Sequence, residues 1–257
     1  MTERIYVTLV IPCYNETEVF EKSMPRIEAQ LRKLGKPFEI ILVEDQSRDD
    51  TAALVKKYCE DHPFSRAIFH PRNRGRGQSV MDGLAKARGE YCGFLDIDLE
   101  VSEKYLPKAL EALEEGADVV IGNRTPKNAP AFRTLLHHGY ARLMNLVLSL
   151  PFHDVNAGFK FFRTTSIQKL LPCLHEHHWF WDTEVVLKSH LAGYQVHELP
   201  VVYEKNPTKK STVRVLNDTL HFLEKTIEYA TKKGRIRKEL RSLMMREKNR
   251  EKPARRR

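Results

Sequence analysis

The sequence predicts an α/β fold, a mostly parallel sheet with helices on both faces. Two observations carry that expectation. Short apolar, β-branched runs alternate with amphipathic stretches of helical period, the β-α-β-α rhythm of a parallel sheet. Polar and acidic groups also follow the ends of these runs, the edge at which open α/β sheets bind ligands. Pro12-Cys13-Tyr14-Asn15-Glu16 follows the first run and Glu44-Asp45 the second. Asp96-Ile97-Asp98-Leu99-Glu100 follows a later run, and Gly122-Asn123-Arg124 the one after it.

Each element has its own signal. Ile5 to Ile11 reads as a strand ending at Pro12, and Glu16 to Leu34 as a helix with Asn15 as its N-cap. Phe38 to Val43 is a second strand, Thr51 to Cys59 a helix and Arg66 to Phe69 a short strand. Gly75 to Arg88 reads as a helix closed by Gly89, and Tyr91 to Ile97 as the next strand. Glu103 to Glu115 is a helix, and Asp118 to Ile121 a strand ending at Gly122. Beyond Thr125 the rhythm loosens. Pro126 and Pro130 mark a loop, and Phe132 to Leu150 reads as an amphipathic helix. Gly158 to Arg163 then reads as a strand, Asp182 to Ala192 as a helix and Gln195 to Tyr203 as a last strand. Val213, Leu216, Leu220, Leu223 and Ile227 recur at helical spacing and start a long C-terminal helix. The expected organisation is a catalytic domain over 1–211 and a helix with a basic tail over 212–257.

Composition narrows the class. The 257 residues are 41% hydrophobic, enough for a folded core, and no apolar stretch approaches the ~20 residues of a membrane span. The first residues lack a signal peptide's layout. Cys13, Cys59, Cys92 and Cys173 show no C-x-x-C spacing and read as reduced thiols of a cytoplasmic protein. The net charge of +9 is concentrated: residues 232–257 hold 13 Lys/Arg against 3 Glu, and the rest holds 30 against 31 acids. A near-neutral body without a basic, aromatic-studded sheet argues against a nucleic-acid partner. The basic tail points instead to an anionic membrane surface. Ile236, Leu240, Leu243 and Met244 lie among its arginines and lysines as in an interfacial helix.

The acidic run after Tyr91 to Ile97 is the sharpest chemical signal. Side chains at i, i+2 and i+4 of an extended segment share one face, so Asp96, Asp98 and Glu100 are expected to converge on one hard cation, Mg2+ or Mn2+. An aromatic ring, a carboxylate for base or ribose, this triplet and Arg124, all at one sheet edge, suit a nucleotide diphosphate. Arg72, Arg74 and Arg76 surround Asn73 and Gly75 where a helix N-terminus favours anions. His137, His138, His175, His177 and His178 have poor zinc spacing and no accompanying cysteine set, so zinc is not expected. A nucleotidyltransferase would call for a glycine-rich, lysine-containing signature near the N-terminus, which the chain lacks.

Five segments, Val10 to Glu16, Glu39 to Thr51, Asn73 to Gly89, Phe94 to Glu100 and Asp154 to Phe162, resemble in order and spacing a family 2 glycosyltransferase. The resemblance is to the branch of dolichyl-phosphate mannosyltransferases and polyprenyl-phosphate sugar synthases. It implies a GT-A-like nucleotide-diphospho-sugar transferase fold and a GDP- or UDP-linked sugar donor. It further implies a lipid phosphate acceptor, inversion at the anomeric carbon, and residence on the cytoplasmic face of a membrane. Pro12, Tyr14, Glu16, Glu44, Asp45, Arg74 and Arg124 are implied donor contacts, although Glu44-Asp45 stands where the family usually has Asp-Asp. Asp96 and Asp98 match the metal-binding D-x-D, with Asp98 the direct ligand and Glu100 a further contact. Lys160 belongs to a D-x-x-x-G-F-(R/K) segment that shapes the acceptor side. Lys209, Lys210, Ser211 and Arg214 resemble a loop that closes over phosphates. The arginine usual before that loop is replaced by Asn206-Pro207-Thr208. Asp98, Arg124 and Asp182 are the expected catalytic groups, with Asp182 as a base should the acceptor be a hydroxyl of a polysaccharide or other substrate.

Overall fold

The computed structural model of the protein describes residues 4–127, 146–206 and 215–250. Its seven strands are β1 (Val7–Cys13), β2 (Phe38–Glu44), β3 (Ser65–Phe69), β4 (Tyr91–Leu95), β5 (Val119–Pro126), β6 (Phe159–Arg163) and β7 (Val196–Tyr203). They form one sheet in the order β3-β2-β1-β4-β6-β5-β7. All seven residues of β1 are buried, as expected of a central strand covered on both faces. Every strand the sequence predicts is present. One departs in direction: β6 runs antiparallel to both β4 and β5, and the other pairings are parallel.

The helices are α1 (Thr17–Arg32), α2 (Thr51–Asp61), α3 (Arg76–Ala85), α4 (Leu106–Glu114), α5 (Thr164–Leu170), α6 (Trp181–Ala192) and α7 (Val215–Arg250). Strand residues alternate between two cores. Leu9, Ile11, Ile40, Leu42, Phe159 and Phe161 face the core built with α1, α2 and α4. Val10, Ile41, Val43, Phe94 and Phe162 face the core built with α3, α5, α6 and α7.

Local departures from the sequence reading have physical reasons. Asn15 does not cap α1. It sits at φ 56, its side-chain oxygen accepts the Arg48 N–H at 2.8 Å, and the helix starts at Thr17. β4 stops at Leu95, and Asp96 to Leu99 turn, with the Leu99 N–H donating to the Asp96 carbonyl at 3.1 Å and Leu99 at φ 54. β5 runs on to Pro126, so Arg124 lies within a strand instead of beyond it. The predicted helix Phe132 to Leu150 falls mainly outside the described residues. The apolar side chains of α7 divide: Leu223 and Ile227 are 44% and 54% exposed, whereas Tyr229 and Leu240 are buried against the protein. Leu240 is 1% exposed, and Ile236 and Met244 pack on the same core, so these side chains are not available to lipid as the interfacial reading expected. No helix among the described residues is long and apolar enough to cross a membrane.

Candidate active site

Because β1, β2 and β4 are parallel, their C-terminal ends meet along one edge, and the antiparallel β6 brings its N-terminal end, Phe159, beside Leu95 there. β1 lies where the strand order reverses, the switch point at which such sheets open a crevice. A cleft occupies that place. Its walls are Pro12, Tyr14 and Glu16 after β1, Asp45 after β2, and Asn73, Gly75, Arg76 and Ser79 around the start of α3. Asp96 and Asp98 after β4, with His178 and Trp179 before α6, complete it.

The two acids after β2 hold the loops in shape. The Glu44 carboxylate accepts the Gln46 and Ser47 N–H groups at 3.1 and 2.6 Å, closing its own turn, and it is not among the residues that line the cleft. Asp45, 3% exposed, accepts the Arg74 N–H at 2.8 Å and the Gly75 N–H at 2.9 Å. Its Oδ1 also lies 2.7 Å from His70 Nδ1, whose Nε2 is 3.0 Å from Asp82. Asp45 therefore fixes the loop that delivers the N-terminus of α3 to the cleft. The Arg74 guanidinium turns back to Asp82 at 2.8 Å.

The arginine that enters the cleft is Arg76. Its Nε and Nη2 donate to the two oxygens of Asp96 at 2.9 and 3.0 Å, and its Nη1 donates to Asp182 Oδ2 at 2.6 Å. Burial works against its charge, but Asp182 and Asp96 outweigh that and hold the group above the ordinary arginine value. Lys160, wholly buried, donates to Asp182 Oδ1 at 2.5 Å and to the Ala157 carbonyl at 2.7 Å. Burial lowers the Lys160 pKa in spite of Asp182. Both oxygens of Asp182 are thus occupied and the residue is 2% exposed, so it does not face an acceptor hydroxyl as a base would. Lys160 likewise supports the site from beneath instead of meeting an acceptor.

Arg124 is committed to Asp154, with Nε to Oδ2 at 2.6 Å and Nη2 to Oδ1 at 3.1 Å. Burial acts to raise the Asp154 pKa, and Arg124 outweighs it and draws it below the usual carboxylate range. This pair braces β5, and Arg124 is not among the residues that line the cleft. Glu100 does not join Asp96 and Asp98. The turn at Leu99 separates it, and its Oε1 accepts the Asn206 N–H at 3.2 Å. Among the described residues no three His, Cys, Asp or Glu side chains are grouped to hold a metal ion. The donor set that remains, two carboxylates lining one cleft, suits Mg2+ or Mn2+, hard cations that take one or two protein carboxylates and complete their shell with phosphate oxygens and water. Lys209, Lys210, Ser211 and Arg214 lie outside the described residues.

Of the residues the sequence singled out, the structure brings Pro12, Tyr14, Glu16, Asp45, Asp96 and Asp98 together in one cleft. Sequence reasoning did not single out Arg76 from its arginine neighbours, and it passed over His70. Trp179 is 38% exposed at the cleft, whereas Trp181 is buried. Gly158 carries a further signal. A Cβ there would stand 1.8 Å from Asp96 Oδ2 and 3.0 Å from Arg76 Nη2, so only glycine permits the Arg76 fork.

Comparison with known proteins converges on one family. The sequence model of glycosyl transferase family 2 matches residues 8–179. A glycosyltransferase of Haloferax volcanii, AglD, is 29% identical over 219 residues, covering 82% of this chain and 35% of its own length. This chain therefore spans about a third of that relative. The dolichyl-phosphate beta-glucosyltransferase of Saccharomyces cerevisiae is 26% identical, covering 83% of this chain and 71% of the yeast protein. Among solved structures, glucosyl-3-phosphoglycerate synthase from Mycobacterium tuberculosis, in complex with Mn2+, UDP and glucosyl-3-phosphoglycerate, superposes with a TM-score of 0.63 at 14% identity. That match covers 89% of this chain and 79% of the other, and it establishes the shared nucleotide-sugar transferase fold.

Proposed function

The chain belongs to glycosyl transferase family 2, and from that premise we propose that it transfers a hexose from a nucleotide-diphosphate sugar to a polyprenyl phosphate, with inversion and with Mg2+ or Mn2+. One observation carries the reading. The cleft at the switch point is lined by Asp96 and Asp98, by Gly75 and Arg76 at the N-terminus of α3, and by Tyr14. Carboxylates for a cation and a helix N-terminus for phosphate are what a diphosphate donor requires.

A cation held by Asp96 and Asp98 would offset charge on the departing nucleoside diphosphate. The chain's own residues do the positioning. Asp45 holds the Arg74 and Gly75 amides, Gly75 at φ 91 opens the backbone into α3, and Tyr14 is the aromatic side chain of the cleft proposed to meet the nucleoside. The burial of Asp182 between Arg76 and Lys160 supports a phosphate acceptor, which needs no base there. Phosphate monoesters have a second pKa of ~6 and are already anionic near neutral pH, whereas an alcohol must lose a proton.

The yeast relative's name supports a dolichyl phosphate acceptor and glucose as the sugar, whereas the sequence motifs resembled mannosyl enzymes. The test offers labelled UDP-glucose and GDP-mannose side by side, with a short-chain polyprenyl phosphate or the corresponding alcohol, in Mn2+. Product on the phosphate alone is the expected result. Transfer to the alcohol, or to neither, would refute the acceptor assignment.

A further inference from the structure

The segment 175–179 roofs the cleft, and its support comes from the far end of the chain. His178 and Trp179 line the cleft, and the His177 carbonyl accepts the Gln78 N–H at 3.1 Å in the first turn of α3. The roof sits so tightly on that turn that a Cβ on Gly75 would lie 2.5 Å from the His178 ring and 2.6 Å from the His177 carbonyl oxygen. Behind it stands Glu184, wholly buried, whose carboxylate accepts the backbone N–H of His175 at 3.0 Å and of Glu176 at 2.9 Å. The same carboxylate accepts the Tyr229 hydroxyl of α7 at 2.6 Å and the Lys188 ammonium at 2.6 Å. Lys225, one turn earlier on α7, meets Glu176 at 3.1 Å. Phe180, next to Trp179, packs against Phe222 and Tyr229 with ring centroids 4.9 and 5.2 Å apart.

We propose that Tyr229 is a positioning residue for donor binding. Through Glu184 it fixes the backbone of His175 and Glu176, and the C-terminal helix thereby holds the roof of the cleft against α3. Four groups share the Glu184 carboxylate, so removing the hydroxyl loosens the roof without emptying the buried site. The inference rests on the cleft being the nucleotide site. It makes α7 a working part of that site, so that whatever engages the helix also acts on the cleft.

The test compares the full chain with Tyr229→Phe, which deletes one oxygen and keeps the ring. Amide hydrogen exchange reads the roof directly. A hydrogen bond to a buried carboxylate is worth enough that protection of the His175 and Glu176 amides is expected to fall about tenfold. Affinity for UDP or GDP with Mn2+ is expected to fall several-fold in parallel, with cooperative unfolding retained. Lys225→Gln, which removes the partner of Glu176 from the partly exposed side, should shift both readouts the same way and carries the test should Tyr229→Phe not fold. Unchanged protection overturns the proposal. Lost protection with unchanged nucleotide affinity also overturns it, since the roof would then not govern the cleft. A wild type that binds no nucleotide refutes the donor site itself, a result distinct from either.

Discussion

Arg76 grips Asp96 at two points, Nε to Oδ1 at 2.9 Å and Nη2 to Oδ2 at 3.0 Å, and spends its third arm on Asp182. The first acid of the D-x-D motif is thus held by the guanidinium at the first position of α3, in the cleft where a cation and a diphosphate are proposed to bind. Planar two-point recognition of this kind is available to arginine and not to lysine.

Replacing Arg76 leaves Asp182 buried with Lys160 as its remaining cation and Asp96 without its fork. Breaking a buried pair costs about 3 kcal/mol, or roughly 6–12 °C in Tm for a chain this size. Arg76→Gln should show that loss by calorimetry, and Arg76→Lys should recover only part of it. A Tm within a degree of wild type for Arg76→Gln would remove the network from the stability of the site.

Gly158→Ala is expected to disable the cleft without removing any charged group. The added methyl would stand 1.8 Å from Asp96 Oδ2 and push that side chain off Arg76. Nucleotide affinity in Mn2+, measured by calorimetric titration, should drop at least about tenfold, because overpacking of this severity forces side chains to shift at a cost of ~1–3 kcal/mol. Gly234→Ala is the control. No atom lies within 4 Å of its Cβ position in α7, and alanine there should be neutral or stabilising.

How much of this was legible beforehand follows from what each signal encodes. Apolar β-branched runs fixed the existence of all seven strands, but a period of two is blind to direction, so the reversal of β6 went unseen. The D-x-D acids were legible as chemistry. The turn that detaches Glu100 was not, because a left-handed residue at Leu99 has no signature in a leucine. Phe159-Lys160-Phe161-Phe162 in a strand-like run was a clue that Lys160 lies within the sheet, and the family resemblance drew attention to the acceptor side instead. Amphipathic spacing found the helix α7 but not its buried face, since Leu223 and Ile227 of the predicted stripe are exposed and Tyr229 is buried instead. It did not say that the protein's own core covers Leu240.

Acid should destabilise the fold through its paired carboxylates. Burial acts to raise the pKa of Glu39 and Asp154, but hydrogen bonds from Arg88, Thr8 and Arg66 in the first case, and Arg124 in the second, leave both lower in the folded protein than in the unfolded chain. Their contribution is therefore complete above the unfolded value of about 4 and is lost as pH falls through the depressed folded values. Denaturant midpoints should stay level from about pH 7 to 5 and fall below about pH 4, with a shallower fall in Asp154→Asn. An equal fall in that variant would contradict the role given to the pair.

The basic outward side of α7 is the part of the helix expected to meet an anionic membrane surface, since Leu240 is used internally. Arg237, Lys238 and Arg241 are exposed, and each basic residue near an anionic surface is worth ~1 kcal/mol. Replacing the three with glutamine should weaken flotation with phosphatidylserine vesicles, and raised salt should do the same to the wild type. Undiminished flotation of the triple variant would place the contact elsewhere.

The central claim is that the cleft binds a nucleoside diphosphate through a cation on the D-x-D acids. Its most direct test is the thermal shift given by UDP, GDP and CDP, each with and without Mn2+, on the wild type and on Asp98→Ala. At a hundredfold excess over Kd, ligand linkage is worth ~2.7 kcal/mol, or roughly 5–10 °C for a chain of this size. A shift with one nucleotide that requires Mn2+ and disappears in Asp98→Ala, whose own Tm matches the wild type, is the expected result. An equal shift in Asp98→Ala, or none with any nucleotide in the wild type, would contradict the claim.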